Sequence, residues 1–460
     1  MSLFIFRRDF RLNDNIGLNN LLNESEEITP IFIFTPRQVE RNTFKSYNCI
    51  QFMVDSLKDL DVNLKKYGSK LHLYFGDDID VLKDINNKKK INKVYTNTDY
   101  TPFAVKRDAK LKKELEKLGI EFKTFHDITL FEPGTIKSKS DKVYQKFTPF
   151  YKTILPMKVK GLNEDIKDVK ANLKKSLKNI SNTKYSITWK EADEFHENNS
   201  KLNVNGGRKL AKKILSNINS WKDYDKGHDN LNYETTFLSA YLKFGCISIR
   251  EAYHKLKDTF GKNDPILRQL IWREFYYHLG YSFPHVIGSA LKEQYNKIKW
   301  SKDKKTFDAW KKGETGFPIV DACMKQLNET GYMHNRGRLI TASFLVKNLL
   351  QDWQLGEKYF ATKLVDYDPL VNNGNWQWVA GSGADSQPYF RIFNPWTQGE
   401  KFDKDCKFIK YWLPELKDIP NKEIHNWEDF SKNYDFYPDP IIDYKKSRVK
   451  ALDTYKKALN

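Results

Sequence analysis

A chain of 460 residues is too long for one ordinary core, so two or three domains are expected. Lys and Arg number 78 against 59 for Asp and Glu, and the balance of +19 favours an anionic partner, nucleic acid ahead of a membrane surface, with a lysine-rich drift in composition as the plain alternative. A hydrophobic share of 40% with 11 Trp excludes a disordered chain, and the four scattered cysteines (Cys49, Cys246, Cys323, Cys406) suggest neither a disulfide framework nor a metal site.

The opening residues, MSLFIFRRDFRLNDN, become charged too early for a signal peptide, and no apolar run reaches membrane-spanning length. The expectation is an intracellular protein, cytoplasmic or, in a eukaryote, nuclear. Apolar runs at Leu3–Phe6, Ile31–Phe34, Leu71–Phe75, Val94–Thr96 and Phe122–Phe125 read as buried strands. Helical patterns lie between several of them, at Tyr47–Tyr67 and Phe103–Leu118. That alternation predicts an α/β domain with a doubly wound parallel sheet over residues 1–131. No Gly-x-Gly-x-x-Gly follows the first strand, which argues against a standard dinucleotide site there.

Residues 132–205, with Pro133, Gly134, Pro149 and Pro156 and a lysine- and asparagine-rich tract from Lys158 to Lys190, read as a connection whose charge run is solvated. From 206 to 460 the strand signal disappears. Helical periodicity is expected at Gly207–Ile218, Ser248–Phe260, Ile266–Leu279, Ile319–Leu327 and His334–Leu350, giving an all-α second domain. One stretch fits neither pattern: Asp366–Phe402 crowds Asp, Asn, Trp and Gly into a single run. Its polar groups are too many to bury unpaired and its aromatics too many to leave wet, so it is expected to be ordered around an aromatic, polar-edged ligand.

Several stretches together carry a resemblance. FRRDFRLNDN near the start, VYQKFTPFYK at Val143–Lys152, LIWREFYYHL at Leu270–Leu279, GFPIVDACMKQLNETGYMHNRGRLITASFLVKNLL at Gly316–Leu350 and the Asp366–Phe402 run resemble, in order, motifs of the photolyase/cryptochrome flavoproteins. The likeness is greatest to the class I cyclobutane pyrimidine dimer (CPD) photolyases. It implies an N-terminal antenna domain, a C-terminal domain that holds FAD and binds DNA, and a monomer.

By resemblance, Tyr224, Thr235, Thr236 and Ser239 contact the FAD phosphates, although on residue type alone the hydroxyls would be helix caps. Arg338 and Asp366 form an ion pair against the flavin ring, with Asp368 nearby, and Asn372 faces flavin N5, where an amide can both accept and donate. Trp376, Trp353 and Trp300 match a three-tryptophan electron relay; as bare residues they would be core. Trp272 and Trp378 match the walls around a flipped-out dimer. Arg336 and Arg391 match phosphate contacts, and Asn335 reaches the dimer.

Two positions depart from the class I pattern: Gln269 stands where Glu is usual and Leu339 where Met is usual. Gln269 also occurs in (6-4) photolyases, but the two His that those enzymes need are replaced here by Asn335 and Leu339, with His334 one residue out of place. The resemblance thus implies a deoxyribodipyrimidine photolyase, a carbon–carbon lyase. The alternatives are a cryptochrome photoreceptor, disfavoured by Asn372 and by a chain that stops at Asn460 soon after its last helix, or a (6-4) photolyase. A second antenna chromophore is implied, with folate favoured over a deazaflavin or a second flavin.

Overall fold

The structure is a computed structural model that describes residues 1–162 and 169–459. Its first half is built on five parallel strands: β1 Ser2–Ile5, β2 Ile28–Phe34, β3 His72–Phe75, β4 Lys93–Asn97 and β5 Glu121–Phe125. They lie in the order β3-β2-β1-β4-β5. Ser2 pairs with Ile28 on one side and with Lys93 on the other. Leu3, Phe4 and Ile5 are inaccessible because helices cover both faces, which is why the sequence shows an apolar run there and no alternation. The covering helices include Tyr47–Lys65 and Pro102–Glu116, the first capped by Ser46 and the second by Thr101.

The order reverses between β1 and β4, and the crevice beyond the strand ends at such a switch point is the usual ligand edge of an open α/β sheet. Here that edge faces the second half of the molecule. Arg8, just past β1, donates to Asp368 and to the Lys243 carbonyl oxygen. Deeper in the seam, Arg11 Nη2 lies 2.6 Å from Asp127, Arg250 Nη2 lies 2.8 Å from the same carboxylate, and Arg250 Nε lies 2.9 Å from Asp14. These four side chains are nearly without solvent contact, so each charge depends on the others.

The second half is helical among the described residues, as its periodicity predicted. Arg208–Ser216, Ile249–Phe260, Pro265–Ser282 and Pro318–Thr330 fall where expected. The segment 334–350 is helical over Asn335–Ser343 and then widens into a π-helical turn at Phe344–Asn348.

One expectation is refined and one corrected. The run beginning at Asp366, which fits neither an amphipathic helix nor an alternating strand, contains the α-helix Pro369–Ala380. No apolar stripe marks it because it is enclosed on nearly every side and its polar residues bond inside the protein. Asn373 donates to Val286 O and Glu357 Oε1, and Gln377 donates to Val286 O and Ser289 O. The 132–205 segment, for its part, is not a free connector. Phe147 and Phe150 bury against the Pro265–Ser282 helix, Leu173 and Leu177 are buried, and Leu177 and Ser186 bridge to Ile28 in β2 and Tyr74 in β3. Apolar residues spaced through a charged stretch are enough to pin it. Part of the lysine-rich tract, residues 163–168, lies outside the described residues.

Candidate functional site

A cavity of about 500 Å³ opens into the helical half. Its sides are formed by the Pro265–Ser282 and Pro369–Ala380 helices, the Asn335–Ser343 helix and the segment that leads into Leu238–Lys243. Two glycines bring the first pair of helices into contact. A Cβ at Gly374 would fall 2.1 Å from the Tyr276 ring, and one at Gly280 2.5 Å from Leu370.

The polar groups are grouped by type within this space. Arg338 Nη2 bonds both oxygens of Asp366, at 3.2 and 3.0 Å, and Ser239 Oγ donates to the same carboxylate at 2.7 Å. Arg338 Nε donates to Met333 O, which leaves the guanidinium little freedom. Thr235 and Thr236 line the cavity just before the Leu238–Lys243 helix, and the Thr235 hydroxyl lies 3.1 Å from Tyr332 OH. Between them and that helix Phe237 holds a left-handed backbone at φ 52°, costing on the order of 1–3 kcal/mol for a non-glycine residue, while its ring packs edge-on to Tyr332 at 4.8 Å. Tyr224 lines the same end and stacks on His228.

Asn372 also lines the cavity. Its Nδ2 donates to Glu357 O at 3.2 Å, which leaves the carbonyl oxygen and one amide hydrogen for a ligand. Behind it the Glu357 carboxyl is pushed up to about 7 by burial, so near neutral pH its charge is only partly developed. Asp368 also borders the cavity, but its carboxylate is committed to Arg8 and Tyr277 OH and caps the Pro369–Ala380 helix through Leu370 N. The Arg8 guanidinium holds it down to about 2 against its burial.

The three matched tryptophans run outward in order of exposure. Trp376 lines the cavity, Trp353 is enclosed in the same apolar cluster, and Trp300 reaches the half-buried margin beside Tyr455 at 6.0 Å. Trp310, which the sequence reading did not single out, is in direct edge contact with Trp376 at 6.3 Å. Tyr332 was missed too; its only sequence signal is its place two residues ahead of His334.

At the mouth, Trp272, Trp378 and Gln269 line the opening, Asn335 is exposed, and Arg391 is exposed with its guanidinium donating to Gln387 Oε1. Arg336 is placed differently from a free phosphate contact. It is ion-paired to Asp229 at 2.6 Å and lies over the Phe402 ring. His334 lies behind the mouth, its Nδ1 accepting from Arg336 N, and burial pushes its imidazole down to about 4, so the ring is neutral.

A cavity lined by hydroxyls, a guanidinium–carboxylate pair, an uncharged amide and tryptophans suits a dinucleotide with a flat, redox-active ring. Together with the doubly wound sheet this defines a two-domain flavoprotein. Comparison with known proteins agrees. Residues 2–168 match the DNA photolyase model and residues 266–457 the model described as the FAD binding domain of DNA photolyase. A deoxyribodipyrimidine photo-lyase of Buchnera aphidicola is 38% identical over 99% of this chain and 97% of its own length. An archaeal photolyase structure from Sulfolobus tokodaii, described with two FAD molecules, has a TM-score of 0.88 at 40% identity, covering 99% of each chain. A class III photolyase structure from Agrobacterium tumefaciens has a TM-score of 0.90 at 33% identity, covering 99% of this chain and 97% of that one. The chain belongs to the photolyase/cryptochrome family, and its helical half is an FAD-binding domain.

Proposed function

We propose that the protein is a deoxyribodipyrimidine photolyase that repairs cyclobutane pyrimidine dimers in DNA under blue or near-ultraviolet light. The observation that carries this reading is one continuous space, bordered inside by Arg338, Asp366 and Asn372 and at its mouth by Trp272 and Trp378. FAD, when bound, supplies a photoexcited electron that splits the cyclobutane ring and takes it back, so no net redox change results.

The protein's residues hold, orient and exclude water. Thr235, Thr236, Ser239 and Tyr224 take the pyrophosphate end, and the Arg338–Asp366 pair fixes the ring end without adding net charge. Asn372 presents its carbonyl oxygen to a ring N–H. Trp272 and Trp378 form aromatic walls for a base pair turned out of the duplex, a step that is cheapest where stacking is already damaged. Gln269 and Asn335 offer amides to the pyrimidine carbonyls, and Arg391 a guanidinium to the strand. Trp376, Trp353 and Trp300 give an electron an inward route from the surface. His334, neutral and set behind the mouth, is poorly placed to act as the acid of a (6-4) repair site. The class I character of PYFRIFNPWTQGEKF belongs to the same proposal, as does action as a monomer.

A second, light-collecting chromophore fits the strand-end edge of the first domain. There Arg7 Nη2 and Arg107 Nη2 are buried with no hydrogen-bond partner among the described residues, and Arg37 stacks at 4.1 Å on the exposed Phe103 ring. Two guanidiniums that share Asp108 and each keep an unpartnered Nη2, beside a partly exposed aromatic ring, suit a flat anionic ring system, a folate or a second flavin. Mass spectrometry of chromophores released from the purified protein identifies which.

The decisive test is a dimer-containing oligonucleotide illuminated with the purified, flavin-reduced protein. Restored pyrimidines are expected; dimers that persist under full reduction overturn the reading. A second outcome follows from Asp229. Asp229→Asn releases Arg336, so undamaged duplex binds more tightly and the log–log salt dependence of affinity steepens by about 0.9, as for one added phosphate contact. A salt titration of binding measures both.

A further inference from the structure

The VYQKFTPFYK stretch, which the repair mechanism above leaves without a role, crosses from the first domain to the second directly behind the mouth of the cavity. Phe147 lies face to face on Trp272, with ring centroids 3.6 Å apart and planes 4° from parallel. Trp272 lines the cavity and Phe147 does not, so the phenyl ring backs the indole on the side away from the opening. Phe147 is itself fixed, edge-on to Phe275 at 5.8 Å and stacked on Tyr151 at 5.7 Å.

The same stretch reaches the other wall. Asp385 N donates to Gln145 O at 2.8 Å, and Asp385 holds a left-handed backbone at φ 48°. The loop around it is anchored at its start by Lys292 Nζ, which donates to Gly381 O and Ser386 Oγ, and is tied back to Trp378 by Gln387 N on Trp378 O. Two residues apart, Gln145 just ahead of the Phe147–Ile154 helix and Phe147 at its first position therefore hold the Trp378 side and the Trp272 side of the mouth.

A tryptophan on a half-exposed helix face retains rotamer freedom, and each lesion bound would have to freeze it. Backing one face of the indole, beside the edge contact of Phe275 and the Tyr276 ring at 5.9 Å, removes that freedom before DNA arrives and fixes the plane a base would meet. Resting on the repair reading, the geometry points to Phe147 as a positioning residue for lesion recognition: it holds the Trp272 wall in the plane that a flipped pyrimidine dimer stacks against. Trp272 touches the lesion; Phe147 acts only through it.

The measurement is equilibrium binding, in the dark, of a duplex carrying one thymine dimer and of the same duplex undamaged, by the flavin-loaded protein and by Phe147→Leu, Phe147→Met, Phe147→Tyr and Trp272→Ala. Phe147→Leu and Phe147→Met are expected to lose about five- to tenfold in preference for the dimer, the size of one aromatic stacking contact, with undamaged-DNA affinity and flavin content retained. Phe147→Tyr keeps the stack and restores the preference. Repair per light dose at saturating DNA changes little, because a lesion once seated meets the same site, so the defect shows in KM and not in kcat. Wild-type preference in Phe147→Leu and Phe147→Met beside a loss in Trp272→Ala overturns the positioning role and leaves the dimer pocket standing. A loss that falls equally on undamaged DNA or on flavin content makes Phe147 a packing residue and also overturns it. If Trp272→Ala keeps the preference, the pocket assignment fails and the role of Phe147 with it.

Discussion

Asp366→Ala is expected to yield folded protein that has lost most of its flavin, with affinity for added FAD about a hundredfold weaker. Asp366 accepts from Arg338 and Ser239 at once and is almost fully enclosed, while Arg338 retains some contact with solvent. Removing one partner of a buried pair typically costs about 3–5 kcal/mol, because the surviving charge is left without compensation, and the partial exposure of Arg338 argues for the lower figure. At about 1.4 kcal/mol per tenfold, 3 kcal/mol corresponds to roughly two decades of affinity. The ratio of flavin to protein absorbance in the purified variant reads the effect directly. Arg338→Met should behave similarly, and the double variant should bind flavin better than the sum of the single losses implies, since neither charge is then stranded. Wild-type flavin content in Asp366→Ala would remove the pair from the binding site.

The second large effect lies away from the cavity. Arg250→Met leaves the buried Asp127 and Asp14 facing Arg11 with one guanidinium fewer, and the fold is expected to lose about 3–5 kcal/mol, seen as a lower midpoint in denaturant. Acid adds an independent check. The guanidiniums of Arg11 and Arg250 outweigh burial and hold the Asp127 carboxyl down to about 2, below its unfolded value of about 3.9. A carboxylate depressed in this way contributes stability that is complete above about pH 4 and is lost as pH falls toward about 2, because the unfolded chain takes up its proton first. In Arg250→Met the Asp127 value rises toward normal, so the slope of stability against pH across that window should flatten. A slope equal to that of the wild type would mean that Arg11 alone sets the carboxylate.

Much of this arrangement was legible from residue order. Five runs announced five strands, although β5, at the sheet edge, buries only Phe122, and the spacing of Asn335 and Arg338 put them on one helix face, because strand and helix periods depend only on local sequence. The Pro369–Ala380 helix was not legible: a helix buried all round, with Asn373 and Gln377 bonding inward, carries no amphipathic signal. Partners distant in sequence were equally hidden. Arg8 with Asp368, Arg336 with Asp229 and Phe147 with Trp272 are separated by large stretches of chain, and nothing in either local sequence names the other. Without that knowledge Arg336 reads as a free cation, whereas it is neutralised by a carboxylate, and nothing local to Asp368 tells that this cavity residue also ties the two halves together.

The return of the chain along the first domain has a consequence for synthesis. β3 is an outer strand of the sheet, and its open side is covered only when residues 185–187 come back, with Phe75 N donating to Tyr185 O and Ile187 N to Leu73 O. A nascent chain that has just delivered β5 at Phe125 therefore carries every strand of its sheet yet still shows a bare, sticky margin. About sixty further residues, roughly three to twelve seconds of translation at ordinary elongation rates, must leave the ribosome before that margin is sealed. Slow codons or a pause within this interval would prolong the exposure, and it is there that misassembly on the ribosome would begin.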